Sequence, residues 1–268
     1  SQKNFTAGMF EIRSKEKDVV MPKEGDEALV LHTSGTTSKP KVVPLTHKNI
    51  VVSSLNISNS LELSNKDHCL NIMPLFHIHG LIAVIISSLS KGASVCCSGG
   101  FNAIKFIELA LDEKITWYSG VPTMHQAILL RATRSEKKFK NLKLRFIRSS
   151  SASLPPAVFF ELEKTFGCPI VEAYGMTEAT HQMTSNPVGI GLQKPGFVGI
   201  VTKPDVCIMD GKGKALKNGI EGEICIKGEN VTNGYENNMK ANNESFFGNW
   251  FRTGDQGFLD EDGFLKIT

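Results

Sequence analysis

Leu31–Lys41 reads LHTSGTTSKPK, and the reading of the rest of the chain starts from it. The apolar run Ala28–Leu31 before it reads as a short buried strand. The chain then breaks into small residues, Thr33, Ser34, Gly35, Thr36, Thr37 and Ser38. Gly and hydroxyl residues after a strand supply closely spaced N–H and O–H donors, and such a loop can wrap a phosphate chain. Lys39 and Lys41 add positive charge, and Pro40 biases Lys39 towards an extended backbone. No Gly-Lys-Ser/Thr follows Gly35, so the common triphosphatase loop G-x-x-x-x-G-K-[ST] is excluded. Taken alone, the stretch reads equally as an ordinary Gly/Ser/Thr connection.

Next to it Glu27–His32 is a strand, and Pro44–Leu63, with Thr46 as N-cap, reads as a helix. From Asp67 strands and helices alternate. Strands are expected at 69–73, 93–97, 115–119, 144–149 and 170–173, and helices at 78–89, 103–113, 123–133 and 155–166. Pro155 and Pro156 suit the first turn of the last helix, and Gly167 suits its C-cap. Repeated βα units with apolar strands give a parallel-rich sheet covered by helices. Ligands then sit at the carboxyl ends of the strands, where the loops after Leu31, Met73, Ser119, Ser149 and Ala173 fall. After Met183 the pattern changes to recurrent Gly and Pro with short strands at 205–209, 222–227, 257–260 and 264–268. Asp210–Gly211 and Asp262–Gly263 are hairpin signals, and the region reads as a small β-rich lobe. The expected organisation is residues 1–63 (linker and loop-bearing part of a first α/β unit), 64–190 (second α/β unit) and 191–268 (β-rich lobe).

The 268 residues are enough for more than one lobe, and 21% charged with 41% apolar residues is an ordinary globular composition. A net charge of +3 is too weak to argue for nucleic acid, and the basic run 137–145 reads as a solvated loop. No apolar run reaches membrane-spanning length, and the first residues do not read as a signal peptide. The six cysteines contain no C-x-x-C and read as buried free thiols in a reducing compartment.

TSGTTSKPK resembles the phosphate loop of the acyl-adenylate-forming superfamily. PLFHIHG (Pro74–Gly80), EAYGMTEATHQM (Glu172–Met183), GEICIKGENVTNGY (Gly222–Tyr235) and WFRTGDQGFLDEDGFL (Trp250–Leu265) match the same family in the same order. LRFIRSSSASL (Leu144–Leu154) and TEATHQMTSNP (Thr177–Pro187) carry a narrower resemblance to plant and fungal peroxisomal-type acyl-activating enzymes similar to oxalate–CoA ligases.

The resemblance implies a distorted barrel for the β-rich lobe. It also implies a chemistry in two steps. A carboxylate attacks the α-phosphorus of Mg·ATP to give an acyl-adenylate and pyrophosphate, and coenzyme A then displaces AMP. ATP, Mg²⁺ and CoA are the implied cofactors, and a small carboxylate is the implied partner. By the same resemblance Thr33, Ser34, Gly35, Thr36, Thr37 and Lys41 hold the β- and γ-phosphates. Tyr174 packs on adenine, Thr177 meets the α-phosphate, Glu178 holds Mg²⁺ and Asp255 accepts from the ribose. Glu172, Ala173, Gly175, Ser151 and Ala152 complete the nucleotide pocket, with Ser153 at its junction with the acyl pocket. His77 orients or gates near the α-phosphate. His181, Ser151 and His77 form the acid subsite, where a histidine and a serine can engage the second carboxylate of a substrate such as oxalate.

Ordinary packing remains the alternative for His181 and His79, and a salt-bridged core position for Arg148. A medium-chain or aromatic acid and a non-catalytic nucleotide-binding module are the other open readings. The family continues through a hinge into a mobile C-terminal domain with a catalytic lysine. A parent about twice this length is therefore expected, in the cytoplasm or peroxisome, with little adenylation by these 268 residues alone.

Overall fold

The computed structural model describes residues 20–33, 40–132, 139 and 141–268. Its centre is a seven-stranded sheet, built from β3 (His68–Asn71), β4 (Ser94–Cys97), β5 (Trp117–Gly120), β6 (Phe146–Ser149), β7 (Ile170–Met176), β8 (His181–Ser185) and β9 (Ile200–Val201). The spatial order is β4-β3-β5-β6-β7-β8-β9. The first five strands pair in parallel, and β8 and β9 continue the sheet antiparallel.

Successive strand residues point to opposite faces, and both faces are covered. Cys69, Trp117, Phe146 and Val171 enter one apolar cluster, and their neighbours Leu70, Tyr118, Ile147 and Ile170 enter the other. The second cluster is closed by α3 (Phe106–Asp112), α4 (Pro122–Ala132) and α5 (Pro156–Phe166). Gly167 ends α5 in the left-handed conformation its sequence position suggested. On the other face lie α1 (His47–Ser60) and a π-wound segment, His79–Ile86, that runs into α2 (Ser87–Leu89). An unbroken apolar run does not distinguish π from α winding, so only the helix itself was legible there.

Three sequence expectations are corrected near the start. The strand after Asp26 is not buried: β1 (Glu27–His32) alternates between exposed and half-buried residues. It pairs antiparallel with β2 (Val42–Thr46) as a separate two-stranded sheet, so residues 33–41 connect a hairpin instead of joining the parallel strands. The expected helix over 44–63 thus yields its first residues to β2. Thr46 does cap α1: its hydroxyl accepts from Asn49 N–H, and Asn49 Oδ1 accepts from Thr46 N–H.

The remaining chain forms an antiparallel sheet of β10 (Asp205–Met209), β11 (Gly222–Lys227), β12 (Phe246–Phe247), β13 (Trp250–Leu259) and β14 (Leu265–Ile267), with α6 (Met239–Glu244) before β12. The expected strand at 257–260 is only the end of the much longer β13. Turns fall at Asp210–Gly213 and Asp260–Gly263, as the Asp-Gly pairs suggested. Cys69, Cys168 and Cys225 are buried, but Cys97 is exposed, which corrects the uniform burial expected of the thiols. Among the described residues no helix is long and apolar enough to cross a membrane.

Candidate active site

The loop after β6 and residues of β7 converge with Asp255 of β13 on a cavity of about 520 Å³. Ser151, Ala152, Ser153, Glu172, Ala173, Tyr174, Gly175 and Asp255 all line it. A larger hollow, about 730 Å³, opens at the amino ends of the central strands and contains none of the expected site residues. Tyr174 is buried, and its hydroxyl donates to Asp255 Oδ2. Burial and the Asp255 carboxylate both raise the phenol well above its ordinary pKa, so it stays a donor. Asp255 itself is exposed.

Asp255 is held by a residue with no assigned role in the sequence reading. Glu223 Oε2 accepts from Arg252 Nε at 3.0 Å and Nη2 at 2.7 Å, and its Oε1 accepts from Gly254 N–H at 3.3 Å. Thr253 Oγ1 donates to Ile224 O at 2.8 Å. The stretch of β13 carrying Asp255 is thereby fastened to β11. Glu223 lies inside the quoted motif Gly222–Tyr235, and its spacing gave no sign of this contact.

β7 runs on past the expected end at Ala173 and turns through Thr177–Ala179 into β8. Gly175 is required there: a Cβ would lie 1.9 Å from His181 O. Thr177, half-buried, opens the turn. Glu178 is buried, and its Oε1 accepts from Tyr235 O–H at 2.7 Å. Lys41 Nζ sits 4.5 Å from the centre of the Tyr235 ring, a cation–π contact. Thr33 and Lys41 close the hairpin neck: Thr33 N–H donates to Lys41 O at 2.9 Å, and Lys41 N–H to Thr33 Oγ1 at 3.3 Å. Ser34, Gly35, Thr36 and Thr37 lie outside the described residues.

Asn49 and Ser53 of α1 turn inward. Asn49 Nδ2 donates to Glu229 O and Val231 O, and Ser53 Oγ donates to Thr180 O at 2.6 Å, tying α1 to the backbone just after Glu178 and to the 229–231 segment.

Beneath Ser151 lies a buried polar cluster. Arg148 is fully buried and, among the described residues, has no carboxylate partner, so the salt-bridged core reading is corrected. Its Nη1 donates to Ser119 Oγ at 3.3 Å and lies 3.4 Å from His79 Nε2. Its Nη2 donates to Gln182 Oε1 at 3.0 Å and lies 3.4 Å from His181 Nδ1. His79 Nδ1 reaches Ser151 Oγ at 3.0 Å. The two imidazoles meet edge to face, with centroids 5.2 Å apart. Burial first, then the Arg148 charge, lowers both far below the ordinary histidine pKa, so both are neutral. His77 is exposed, is lowered by partial burial, and accepts His79 N–H at its Nδ1. Ser151, Thr180 and His181 all have positive φ (70°, 51° and 101°), an uncommon state for non-glycine residues, and they cluster at this one place. Glu172 faces the cavity, and burial raises its pKa to about 7 despite the 3.2 Å bond from Gly196 N–H.

A family model described as "AMP-binding enzyme" matches residues 2–236. The oxalate–CoA ligase of Arabidopsis thaliana is 48% identical over 246 residues, 90% of this chain and 48% of that protein. The oxalate–CoA ligase of Saccharomyces cerevisiae is 48% identical over 248 residues, 92% of this chain and 45% of that protein. The chain therefore spans about half the length of these curated relatives. Among solved structures, ATP-bound MatB from Rhodopseudomonas palustris superposes with a TM-score of 0.85 at 30% identity, covering 92% of this chain and 48% of that one. The o-succinylbenzoate–CoA synthetase MenE of Bacillus subtilis, in complex with ATP and magnesium ion, gives 0.81 at 30% identity, covering 91% and 50%.

Proposed function

The chain belongs to the AMP-binding enzyme family, and on that premise we propose that it forms the nucleotide- and acid-binding part of a carboxylate–CoA ligase acting on a small dicarboxylate, oxalate being the best fit. The observation that carries the acid assignment is the buried cation at Arg148, flanked by His79, His181 and Ser151 and lacking a carboxylate among the described residues. A buried guanidinium is costly unless something anionic meets its field. A monocarboxylic acid spends its one charge at the reacting phosphorus, whereas a second carboxylate supplies the missing charge.

In this reading the adenosine lies in the cavity, with adenine beside Tyr174 and Ala173 and the ribose diol on Asp255. Lys41, Thr33 and the following loop take the β- and γ-phosphates. Glu178 suits Mg²⁺: one carboxylate oxygen is anchored by Tyr235, the other is left for a hard cation, and Mg²⁺ commonly takes one or two carboxylates plus phosphate and water. The ion, when bound, neutralises phosphate charge. His77, neutral and exposed, offers an Nε2–H donor beside the α-phosphate; no base is needed, because the acid is already ionised. One carboxylate oxygen of the acid bonds to the α-phosphorus and pyrophosphate leaves. The CoA thiol then bonds to the acyl carbon, AMP leaves and the thiol proton goes to solvent. Much of the catalysis is positioning and charge stabilisation.

The test is carboxylate-dependent AMP release by the intact protein with oxalate, hexanoate or cinnamate. Selective release with oxalate supports the assignment. Selective release with hexanoate or cinnamate would move it to a monocarboxylic acid ligase.

A further inference from the structure

The cluster beneath Ser151 has a direction. An arginine can only donate hydrogen bonds. Ser119 Oγ receives the Arg148 Nη1 bond at 3.3 Å, and Ser119 is itself fully buried. Its one proton therefore goes to its remaining close partner, His79 Nε2, 2.6 Å away. Arg148 Nη1 also faces that nitrogen, at 3.4 Å, so His79 Nε2 is an acceptor twice over. The proton of this neutral imidazole then sits on Nδ1 and is donated to Ser151 Oγ at 3.0 Å. Ser151 accepts there, which leaves its own proton for the cavity it lines. The second branch runs the same way. Arg148 Nη2 faces His181 Nδ1 at 3.4 Å, so the His181 proton sits on Nε2.

We propose that Arg148 is a positioning residue that, directly and through Ser119, sets the ring protons of His79 and His181 so that Ser151 Oγ–H and His181 Nε2–H both serve as donors to the acid subsite. Arg148 is walled off by its partners and acts through them. Gln182 belongs to the same device. Its Oε1 orients Nη2, while its Nε2 donates to Ser60 Oγ at 2.8 Å and Thr202 Oγ1 at 3.2 Å, which fixes the amide orientation. A glutamate there would cancel the charge; the amide orients the guanidinium and leaves the charge intact. A proton on Ser151 Oγ and one on His181 Nε2 suit a ligand whose second end only accepts, and a carboxylate is such an end. The inference rests on the dicarboxylate reading for that ligand alone, since the proton arrangement belongs to the free protein.

The experiment reads the tautomers of this chain without ligand, from two-bond ¹H–¹⁵N histidine spectra assigned with His79→Gln and His181→Gln. The expected result is His79 in the Nδ1–H form and His181 in the Nε2–H form. His79 in the Nε2–H form overturns the proposal. Arg148→Met should return His79 to Nε2–H, because Ser119 then becomes the acceptor. In the intact protein it should raise the oxalate KM about thirtyfold or more with the ATP KM unchanged. Arg148→Lys keeps a buried donor; it should retain the Nδ1–H form and recover part of the KM, and it serves if the Met variant does not fold. Unchanged tautomers and oxalate KM in Arg148→Met would reduce Arg148 to packing and sink the proposal. Expected tautomers together with a preference for hexanoate would leave the proton relay standing and remove the dicarboxylate reading instead.

Discussion

Glu172→Gln should abolish a pH dependence of stability that the buried carboxyl imposes. In the unfolded chain a glutamate titrates near its ordinary value; in the fold, burial raises Glu172 from 4.5 to about 7. The folded form therefore binds more protons than the unfolded form between those values, and stability must fall as pH rises through that window. Below pH ~4.5 both forms are protonated and the site costs nothing; above pH ~7 both are ionised and the full cost applies. At ~1.4 kcal/mol per pH unit of separation, the cost approaches ~3 kcal/mol. Glutamine keeps the shape and can still accept from Gly196 N–H, which in the wild type lies 3.2 Å from Glu172 Oε2. The assay is denaturant unfolding of both proteins between pH 5 and pH 8. The variant should be close to wild type at the acid end and gain ~2–3 kcal/mol at the alkaline end. His77, His79 and His181 titrate in both proteins and cancel in the difference. A stability difference that stays constant across pH would mean that the Glu172 carboxyl is not held protonated by burial.

Gly175→Ala places a Cβ against the His181 carbonyl at 1.9 Å, and a backbone atom cannot swing aside. Separation of β7 from β8 should cost ~3 kcal/mol, read as a lower denaturation midpoint; a loss under ~0.5 kcal/mol would mean the two strands do not approach so closely. Tyr235→Phe removes the donor to buried Glu178 Oε1. Calorimetry should show Mg·ATP binding weakened about tenfold with metal-free nucleotide binding nearly unchanged, and equal losses in both would argue against a cation role for Glu178. Glu223→Gln releases Arg252 from its paired bonds and loosens the stretch of β13 carrying Asp255. AMP affinity should fall several-fold while adenine, which has no ribose, binds as before; equal weakening of both would dissociate Glu223 from Asp255.

The parallel strands were legible because each carries a short apolar stretch, and the helices between them because Pro, Gly and periodicity mark their limits. β2 and β8 were hidden for opposite reasons. β2 leads straight into a capped helix, so the helix signal at Thr46 spread backwards over Pro44. His181–Ser185 is a polar strand buried along its whole length, and polarity reads as loop until the fold supplies partners. The same holds for the site. Tyr174, Glu178 and Asp255 were marked by local motifs, and the structure gathers Tyr174 and Asp255 at one cavity with Glu178 on the adjoining turn. Arg148, His79 and Gln182 come from three separate stretches. Their joint role depends on hydrogen-bond distances across the sheet, which no spacing within one stretch encodes. Ser151 shows the limit most clearly. The resemblance assigns it to the pocket, but its φ of 70° and its bond to His79 are what give its hydroxyl a direction.

The most direct measurement is AMP release by the intact protein with saturating Mg·ATP and CoA, comparing oxalate with hexanoate, in wild type and His181→Ala. The expected result is oxalate-selective release in wild type and, in the variant, a loss of oxalate turnover with nucleotide binding retained. Oxalate turnover unaffected by the variant, or release only with hexanoate, would contradict the acid subsite built on Arg148, His79, His181 and Ser151.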